Sequence, residues 1–180
     1  MLQTLITSKT RVKLLLKFFL NSSNTSHLRD LASEFGESTN AIRLELNHLE
    51  LAGLLISKHV GNKKVFRANC QHPLFSTIHQ LVLKHSGIDQ VIENVISKLG
   101  GLHSAYVTGS FAQGNDNSVV DLLLLGTDIE ISYLLQLIGK AEKLINRKIR
   151  YVLINPDEFG KYLSIYPEAL LLWHENGNQL

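Results

Sequence analysis

Cysteine, proline and long apolar runs are scarce in this sequence. Its 180 residues include one cysteine and three prolines, and 19% of them are charged. A single Cys70 excludes a disulfide within the chain and a metal site built from several thiolates, which fits a reducing cytoplasm. No run reaches the ~18 apolar residues of a membrane-spanning helix. Lys17 also interrupts the early apolar stretch that would otherwise suggest a signal peptide. We therefore expect a soluble cytoplasmic protein with no membrane partner.

The charge of the chain is unevenly distributed, although its 44% of hydrophobic residues is enough for a buried core. Residues 1–70 contain ten Lys and Arg against five Asp and Glu, whereas residues 71–180 contain eight against eleven. A basic first part and a mildly acidic second part suggest two modules, of which the first faces a polyanion. An uneven scatter of solvated charges would give the same totals.

Three segments with apolar residues at helical spacing occupy residues 8–53. Ser8, Ser26 and Ser38 stand where N-caps would begin these helices, and Gly36 and Gly53 stand where the second and third would end. A turn of about three residues joins the second helix to the third, which is the spacing of a helix-turn-helix. The residues predicted to face the core are Val12, Leu15, Leu16, Phe19 and Leu20 in the first helix, Leu28, Leu31, Ala32 and Phe35 in the second, and Ile42, Leu46 and Leu49 in the third.

Two β-rich runs around Gly61 and Asn62 follow the third helix and predict a hairpin with basic residues at its tip and flanks. Three helices followed by a basic hairpin is the element order of a winged helix. Residues 47–69, NHLELAGLLISKHVGNKKVFRAN, resemble the recognition-helix-to-wing passage of the winged-helix transcriptional regulators of bacteria. The resemblance implies that the hairpin is a wing that contacts DNA. Its candidate phosphate-binding residues are Lys58, Lys63, Lys64 and Arg67.

The polar face of the third helix supplies candidate base-reading residues. Amide and guanidinium groups can bond to base edges in the major groove, while hydroxyls and a helix N-terminus can hold phosphates. The alternatives are a helix face that is merely exposed and a winged helix that binds protein. Glu45 and Glu50 near the helix centre would repel phosphate if they faced it. The sequence thus predicts binding of double-stranded DNA through Ser38, Thr39, Asn40, Arg43 and Asn47, together with the wing.

Residues 71–100 predict two further helices that link and pack the two modules. Pro73 suits a first helical turn, and apolar residues recur at helical spacing on both sides of Gly87. The same apolar faces would equally serve as the contact of a homodimer. The histidines of this segment, His72, His79 and His85, lie seven and six residues apart, which does not place a metal-binding pair on one helix face.

Strands alternate with a helix in residues 101–180 and predict an α/β unit. The first strand runs into a Gly109-Ser110 turn, and the second contains Asp121. This order of strand, Gly-Ser, short helix, acid-bearing strand, helix and strand resembles the nucleotidyltransferase domain of the DNA polymerase β superfamily, in its minimal prokaryotic versions. The segment INPDEF at 154–159 resembles the same family's passage after the third strand. The matching positions are Gly109, Ser110, Ala112, Gly114, Ser118 and Asp121.

The chain departs from that family where the family holds its metals. There, three carboxylates hold two Mg²⁺ ions that align the nucleophile and the leaving group. Here Val119 takes the position of the first acid and Arg150 or a neighbour that of the third, so Asp121 is the one candidate metal ligand and catalytic residue, with the loop acid Asp116 as a substitute. We expect a degenerate site in which an Asp121–Arg150 salt bridge could replace the metals. A nucleotide or phosphate would then be held without turnover by Gly109, Ser110, Gly114 and Arg150.

The sequence therefore predicts a two-domain α+β or α/β chain. A winged helix-turn-helix covers residues 1–70, linking helices cover 71–100, and a nucleotidyltransferase-like mixed sheet with helices covers 101–180. The predicted function is that of a dimeric DNA-binding transcription regulator without a cofactor, whose second domain serves dimerisation, ligand sensing or partner docking. The alternatives are an active Mg²⁺-dependent nucleotidyltransferase that relies on Asp121 and an unrecognised acid, and an antitoxin-like protein that docks a partner chain.

Overall fold

The computed structural model describes residues 6–177, and the chain divides into two compact units between His85 and Ser86. The division falls inside the segment 71–100 that the sequence assigns to linking helices. The first five residues of the predicted domain 1–70 and the last three of 101–180 lie outside the described residues. Within residues 6–177, none of the helices combines the length and the apolar composition that a membrane crossing requires.

The N-terminal unit contains four helices: α1 (Lys9–Phe19), α2 (Leu28–Phe35), α3 (Thr39–Leu51) and α4 (Phe75–Ser86). The side chains of Ser8 and Ser38 cap α1 and α3 as predicted, because each accepts a hydrogen bond from the backbone N–H three residues on. Gly36 ends α2 in the left-handed conformation, also as predicted.

The prediction that Ser26 caps α2 is wrong. The N-cap is His27, whose Nδ1 accepts the backbone N–H of Asp30 at 3.2 Å. Ser26 is buried and belongs instead to a two-residue strand, β1 (Ser26–His27), where it pairs with Phe66. Because α2 begins at Leu28, His27 occupies the cap position, and Ser26 lies one residue too early in the chain to cap the helix.

A three-stranded antiparallel sheet completes the N-terminal unit. Its strands β2 (Leu55–Val60) and β3 (Lys63–Ala68) form the predicted hairpin, with Gly61 at φ +57° in the turn. Strand β3 lies in the middle, between β2 and the short strand β1, which the sequence pattern does not reveal.

Helix α1 is buried on more sides than its apolar periodicity predicts. Leu14 and Phe18 are fully buried in addition to the predicted face. Lys17 is buried as well and forms an ion pair of 2.7 Å with Glu34 of α2. Because α1 contacts α3 and β3, and its Phe19 packs on Phe75 of α4, it is the central helix of the unit.

The C-terminal unit is built on a mixed four-stranded sheet, as predicted. Its strands are β4 (Leu102–Thr108), β5 (Val119–Gly126), β6 (Lys148–Ile154) and β7 (Leu170–His174). They lie in the order β6-β5-β4-β7, with β5 and β6 parallel and the other pairs antiparallel. The helical elements are α5 (Ile88–Asn94), a 3₁₀ turn (Ile96–Lys98), α6 (Gly109–Ala112), α7 (Ile131–Ile145), a second 3₁₀ turn (Pro156–Glu158) and α8 (Phe159–Ile165).

Both faces of this sheet are covered, which explains the unbroken apolar run in β5. Leu123 and Leu125 pack with Phe159 and Tyr162 of α8. The alternate residues of the strand point to the other face and are buried as well. Helix α7 forms the crossover between the parallel strands β5 and β6 and packs against α5. Helix α8 and strand β7 are elements that the sequence pattern did not predict.

Candidate functional site

A basic groove of about 520 Å³ lies in the N-terminal unit. It runs between the first turn of α2, the middle of α3 and the tip of the β2–β3 hairpin. The polar side chains that line it include His27, Arg29, Arg43, Asn47, Asn62 and Lys63. The groove therefore brings together part of the predicted helix face and part of the predicted wing.

Of the five acidic side chains of the N-terminal unit, the four glutamates are held by cations that lie mostly outside this groove, while Asp30 pairs with His27, which lines it. Every glutamate of the unit forms an ion pair: Glu34 with Lys17, Glu37 with Lys13, Glu45 with Arg11 and Glu50 with Lys64, at 2.6–2.8 Å. Three of the four partners belong to α1. Within residues 6–85, the Lys and Arg residues without an ion pair are Lys9, Arg29, Arg43, Lys58, Lys63, Arg67 and Lys84. Five of those seven belong to α2, α3 or the hairpin, so the excess positive charge is concentrated there.

The side chain of Glu45 does not face outward, although the sequence alone left that orientation open. Its carboxylate accepts hydrogen bonds from Ser8 at 2.6 Å and from Arg11 at 2.8 Å, both on the α1 side of α3. Burial acts to raise the pKa of this carboxyl, but the two hydrogen bonds and the Arg11 charge outweigh it and hold the pKa below its ordinary value. Glu45 therefore stays charged and tied to α1, away from the groove.

Glu50 holds Lys64, so this lysine is not a free cation of the hairpin. The carboxylate accepts bonds from Lys64 at 2.6 Å and Ser57 at 2.5 Å, and these bonds hold its pKa below the ordinary value. The Lys64 ammonium also lies 5.1 Å from the centre of the Phe66 ring. Of the two adjacent lysines at the start of β3, Lys63 is the one whose charge is uncompensated.

The other predicted DNA-binding residues are distributed over two surfaces. Thr39, Asn40, Arg43 and Asn47 are exposed on α3, opposite its buried face. The Ser38 hydroxyl is engaged as the cap of α3. Lys58 and Arg67 do not line the groove and instead line a smaller cavity of about 90 Å³ on the hairpin. Arg29 lines the groove but was missed, because its exposed place in the first turn of α2 carries no distinctive sequence signal.

A second candidate site lies at the mixed sheet of the C-terminal unit. Parallel pairing of β5 with β6 places Asp121 directly beside Arg150. Arg150 donates from Nε to Asp121 Oδ1 at 2.6 Å and from Nη2 to Oδ2 at 3.0 Å. The hydrogen bonds and the charge of Asp121 raise the pKa of Arg150. The adjoining cavity, of about 380 Å³, is also lined by Thr108, Gly109, Tyr151 and Tyr166.

Hydrogen-bonding groups of the Gly109-Ser110 turn have partners within the chain itself. Gly109, at φ +65°, donates its N–H to Glu168 Oε1 at 2.9 Å. The Ser110 hydroxyl accepts a bond from Asn117 at 2.9 Å. Gly109 and Arg150 both line the cavity, whereas Ser110 and the buried Gly114 do not. Glu168 was missed because it follows α8, far along the sequence, and no motif surrounds it.

These residues do not fit a Mg²⁺ ion. Both oxygens of Asp121 are bonded to Arg150, whose positive charge opposes a dication. Val119, two residues earlier on the same strand, offers no ligand, and Asp116 forms an ion pair of 2.7 Å with Arg147. Among residues 6–177, no three carboxylate, imidazole or thiol side chains are grouped so that they could hold a metal.

Comparison with known proteins finds no family match and a weak similarity to a solved structure. No protein-family model matches the chain, and no curated protein matches it. One solved structure with some similarity is the crystal structure of a "putative nucleotidyltransferase" from Sulfolobus solfataricus, which is 18% identical. The match covers 58% of this chain and 93% of that one, with a TM-score of 0.40.

Proposed function

We propose that this chain is a transcription regulator that binds duplex DNA through its N-terminal unit. The observation that carries the proposal is the segregation of charge in that unit. All of its glutamates form ion pairs, mainly with cations of α1. Arg29, Arg43 and Lys63 form none, and all three line one groove. Holding these cations close together costs electrostatic free energy, which a polyanion in the groove would relieve.

The side chains beside these cations suit a nucleic acid. The exposed amides of Asn40 and Asn47 lie on the same helix as Arg43. Amide and guanidinium groups form paired hydrogen bonds with adenine and guanine edges, and the major groove is wide enough for a helix. The order of three helices and a hairpin, with α2 and α3 joined by a short turn, supports a winged helix-turn-helix that presents α3 to the DNA.

For the C-terminal unit we propose a nucleotidyltransferase-like module that does not catalyse transfer. The order β4, α6, β5, α7, β6 agrees with the element order expected of that family. Two-metal catalysis needs carboxylates free to share the ions, and the Asp121 carboxylate is bonded to Arg150 instead. The unit would serve dimerisation, ligand sensing or partner docking. Among residues 6–177, no contact specifically favours an active transferase or an antitoxin-like protein.

The test is DNA binding by the full-length chain, measured by fluorescence anisotropy with a mixed-sequence duplex. Affinity should fall steeply between about 50 and 200 mM salt, because bound cations release condensed counterions. Lys63→Ala should weaken binding to all sequences, whereas Arg43→Ala should cost about 1–3 kcal/mol and relax sequence preference if it bonds to a base. Lys140→Ala, which removes an exposed, unpaired cation of the C-terminal unit, is the matched control and should change nothing. A chain that binds no duplex, or one in which all three variants behave alike, would overturn the proposal.

A further inference from the structure

An exposed leucine lies in the middle of the polar face of α3. Leu44 is 53% exposed, although the adjacent apolar residues Ile42 and Leu46 are almost completely buried. At 3.6 residues per turn, Leu44 lies between Asn40, one turn before it, and Asn47, one turn after it. It directly follows the unpaired Arg43. Leu44 therefore projects from the surface that would enter the major groove.

A leucine at this place needs a physical reason. In the free protein its side chain is half in water, where it adds nothing to the core, and a polar residue would fit the helix surface equally well. In the major groove, the one apolar group that a base pair presents is the C5 methyl of thymine. The hydrogen-bonding groups on either side of Leu44 can pair with base edges, while Leu44 itself can pair with no polar group.

The charge around Leu44 favours DNA over a protein partner. The groove beside it carries uncompensated cations, which would be costly to bury in an apolar protein contact. The other exposed leucine of α3, Leu51, lies seven residues on, about 10 Å along the helix. His48, with a side chain that is 60% exposed, lies between the two leucines. The apolar side chains on this face are thus separated by polar ones.

We infer that Leu44 is a specificity-determining residue that packs against a thymine methyl group and so selects a T·A pair at one position of each bound site. The inference rests on the proposed DNA binding and adds to it a base preference that comes from apolar contact rather than from hydrogen bonds. The contribution of one methyl group is about fourfold in affinity, which corresponds to about 0.8 kcal/mol.

The experiment begins with duplexes selected from a random library by the full-length protein. Each thymine of a selected duplex is then replaced, one at a time, by deoxyuridine, which lacks only the C5 methyl. For the wild-type chain we expect one replacement per bound site to weaken binding about fourfold. For Leu44→Ala the thymine and deoxyuridine duplexes should bind equally at that position. Leu135→Ala removes a leucine of the same 53% exposure from the C-terminal unit and should keep the wild-type ratio.

The outcomes separate this inference from the proposed function. If no duplex can be selected, DNA binding itself fails and Leu44 loses its role with it. A second outcome is a selected duplex for which no deoxyuridine replacement weakens binding, or for which the replacement weakens binding equally in Leu44→Ala. In either case the thymine contact is overturned while DNA binding stands. A third outcome is that Leu44→Ala changes the assembly mass in light scattering and leaves the ratio of thymine to deoxyuridine affinity unchanged. That result would assign Leu44 to a protein contact.

Discussion

Arg150 binds Asp121 through two hydrogen bonds that cross from β6 to β5, where parallel pairing sets the two residues side by side. This forked geometry uses both oxygens of the one carboxylate that β5 contains. Arg150 is 72% exposed and Asp121 25% exposed, so water screens the pair and its contribution to stability is small. Its consequence is chemical, since the carboxylate is already neutralised.

Replacing Arg150 should therefore change metal binding more than stability. In Val119→Asp/Arg150→Asp, three carboxylates would lie at positions 119, 121 and 150 on neighbouring strands, and we expect Mn²⁺ to bind more tightly than to the wild-type chain. Calorimetric titration measures the affinity, and Val119→Asn/Arg150→Asn is the control of the same size without the added charge. Nucleotide transfer by the wild-type chain that disappears in Asp121→Asn would contradict this view of the site.

Removing the charge of Glu50 should strengthen DNA binding. Glu50→Gln keeps the side-chain size but releases Lys64 on the proposed DNA-binding surface, so one more cation can neutralise a phosphate. We expect tighter binding at low salt and a salt slope steeper by about one. The matched control is Glu142→Gln, which releases Lys148 in the C-terminal unit. Equal effects of the two substitutions would show that only the overall charge matters.

Gly109 should not tolerate a side chain. Its φ of +65° is strained for any other residue, and an added Cβ would lie 3.1 Å from Asp121 Oδ2. Gly109→Ala should therefore lower the free energy of unfolding by about 1–3 kcal/mol. Gly139→Ala is the control, because Gly139 lies within α7 and a Cβ there meets no atom within 4 Å. That substitution should stabilise the chain by about 0.5–1 kcal/mol. Urea unfolding measures both, and a neutral Gly109→Ala would contradict the geometry of the turn.

The N-terminal unit should lose stability in acid. Burial acts to raise the pKa of Glu37, but hydrogen bonds from Lys13 and Thr10 lower it below its ordinary value, and the pKa values of Glu45 and Glu50 are lowered too. The unfolded chain then binds more protons than the folded one, so this stabilisation is complete above the ordinary glutamate pKa and is lost as the pH falls through the lowered values. Urea unfolding as a function of pH should show the loss below about pH 4.5. The loss should be smaller in Glu45→Gln, and a stability that is constant in acid would contradict the ion pairs.

The apolar surface that is available for the predicted homodimer is smaller than the sequence suggested. Several apolar residues of 73–99, including Val82, Ile88, Val91 and Val95, are buried within the chain. Leu74 is 54% exposed and remains available. A single copy of the proposed DNA-binding unit would contact a short half-site, so we still expect pairing. Light scattering should then give twice the monomer mass of 20.2 kDa. Leu74→Asp should weaken the dimer, and a wild-type chain of monomer mass would refute it.

The sequence by itself determined the elements whose signals are local. Ser8, Ser38, Gly36 and the Gly61-Asn62 turn act on backbone groups within a few residues, so the helix ends and the hairpin could be located from them. Alternation of strands and a helix likewise predicted the mixed sheet. The Ser26 cap was wrong because α2 begins directly after His27. Strand β1 was missed because it forms only by pairing with the distant residues Val65 and Phe66.

Only the tertiary structure decided which charged groups are free. Glu45 and Glu50 stand among the DNA-binding candidates in the sequence, yet the first is held by Arg11 across 34 residues and the second by Lys64 across 14. Glu168 likewise reaches Gly109 from 59 residues away. The sequence supplies the charges, but an ion pair depends on distances of a few ångströms between segments far apart in the chain, and folding alone sets these distances.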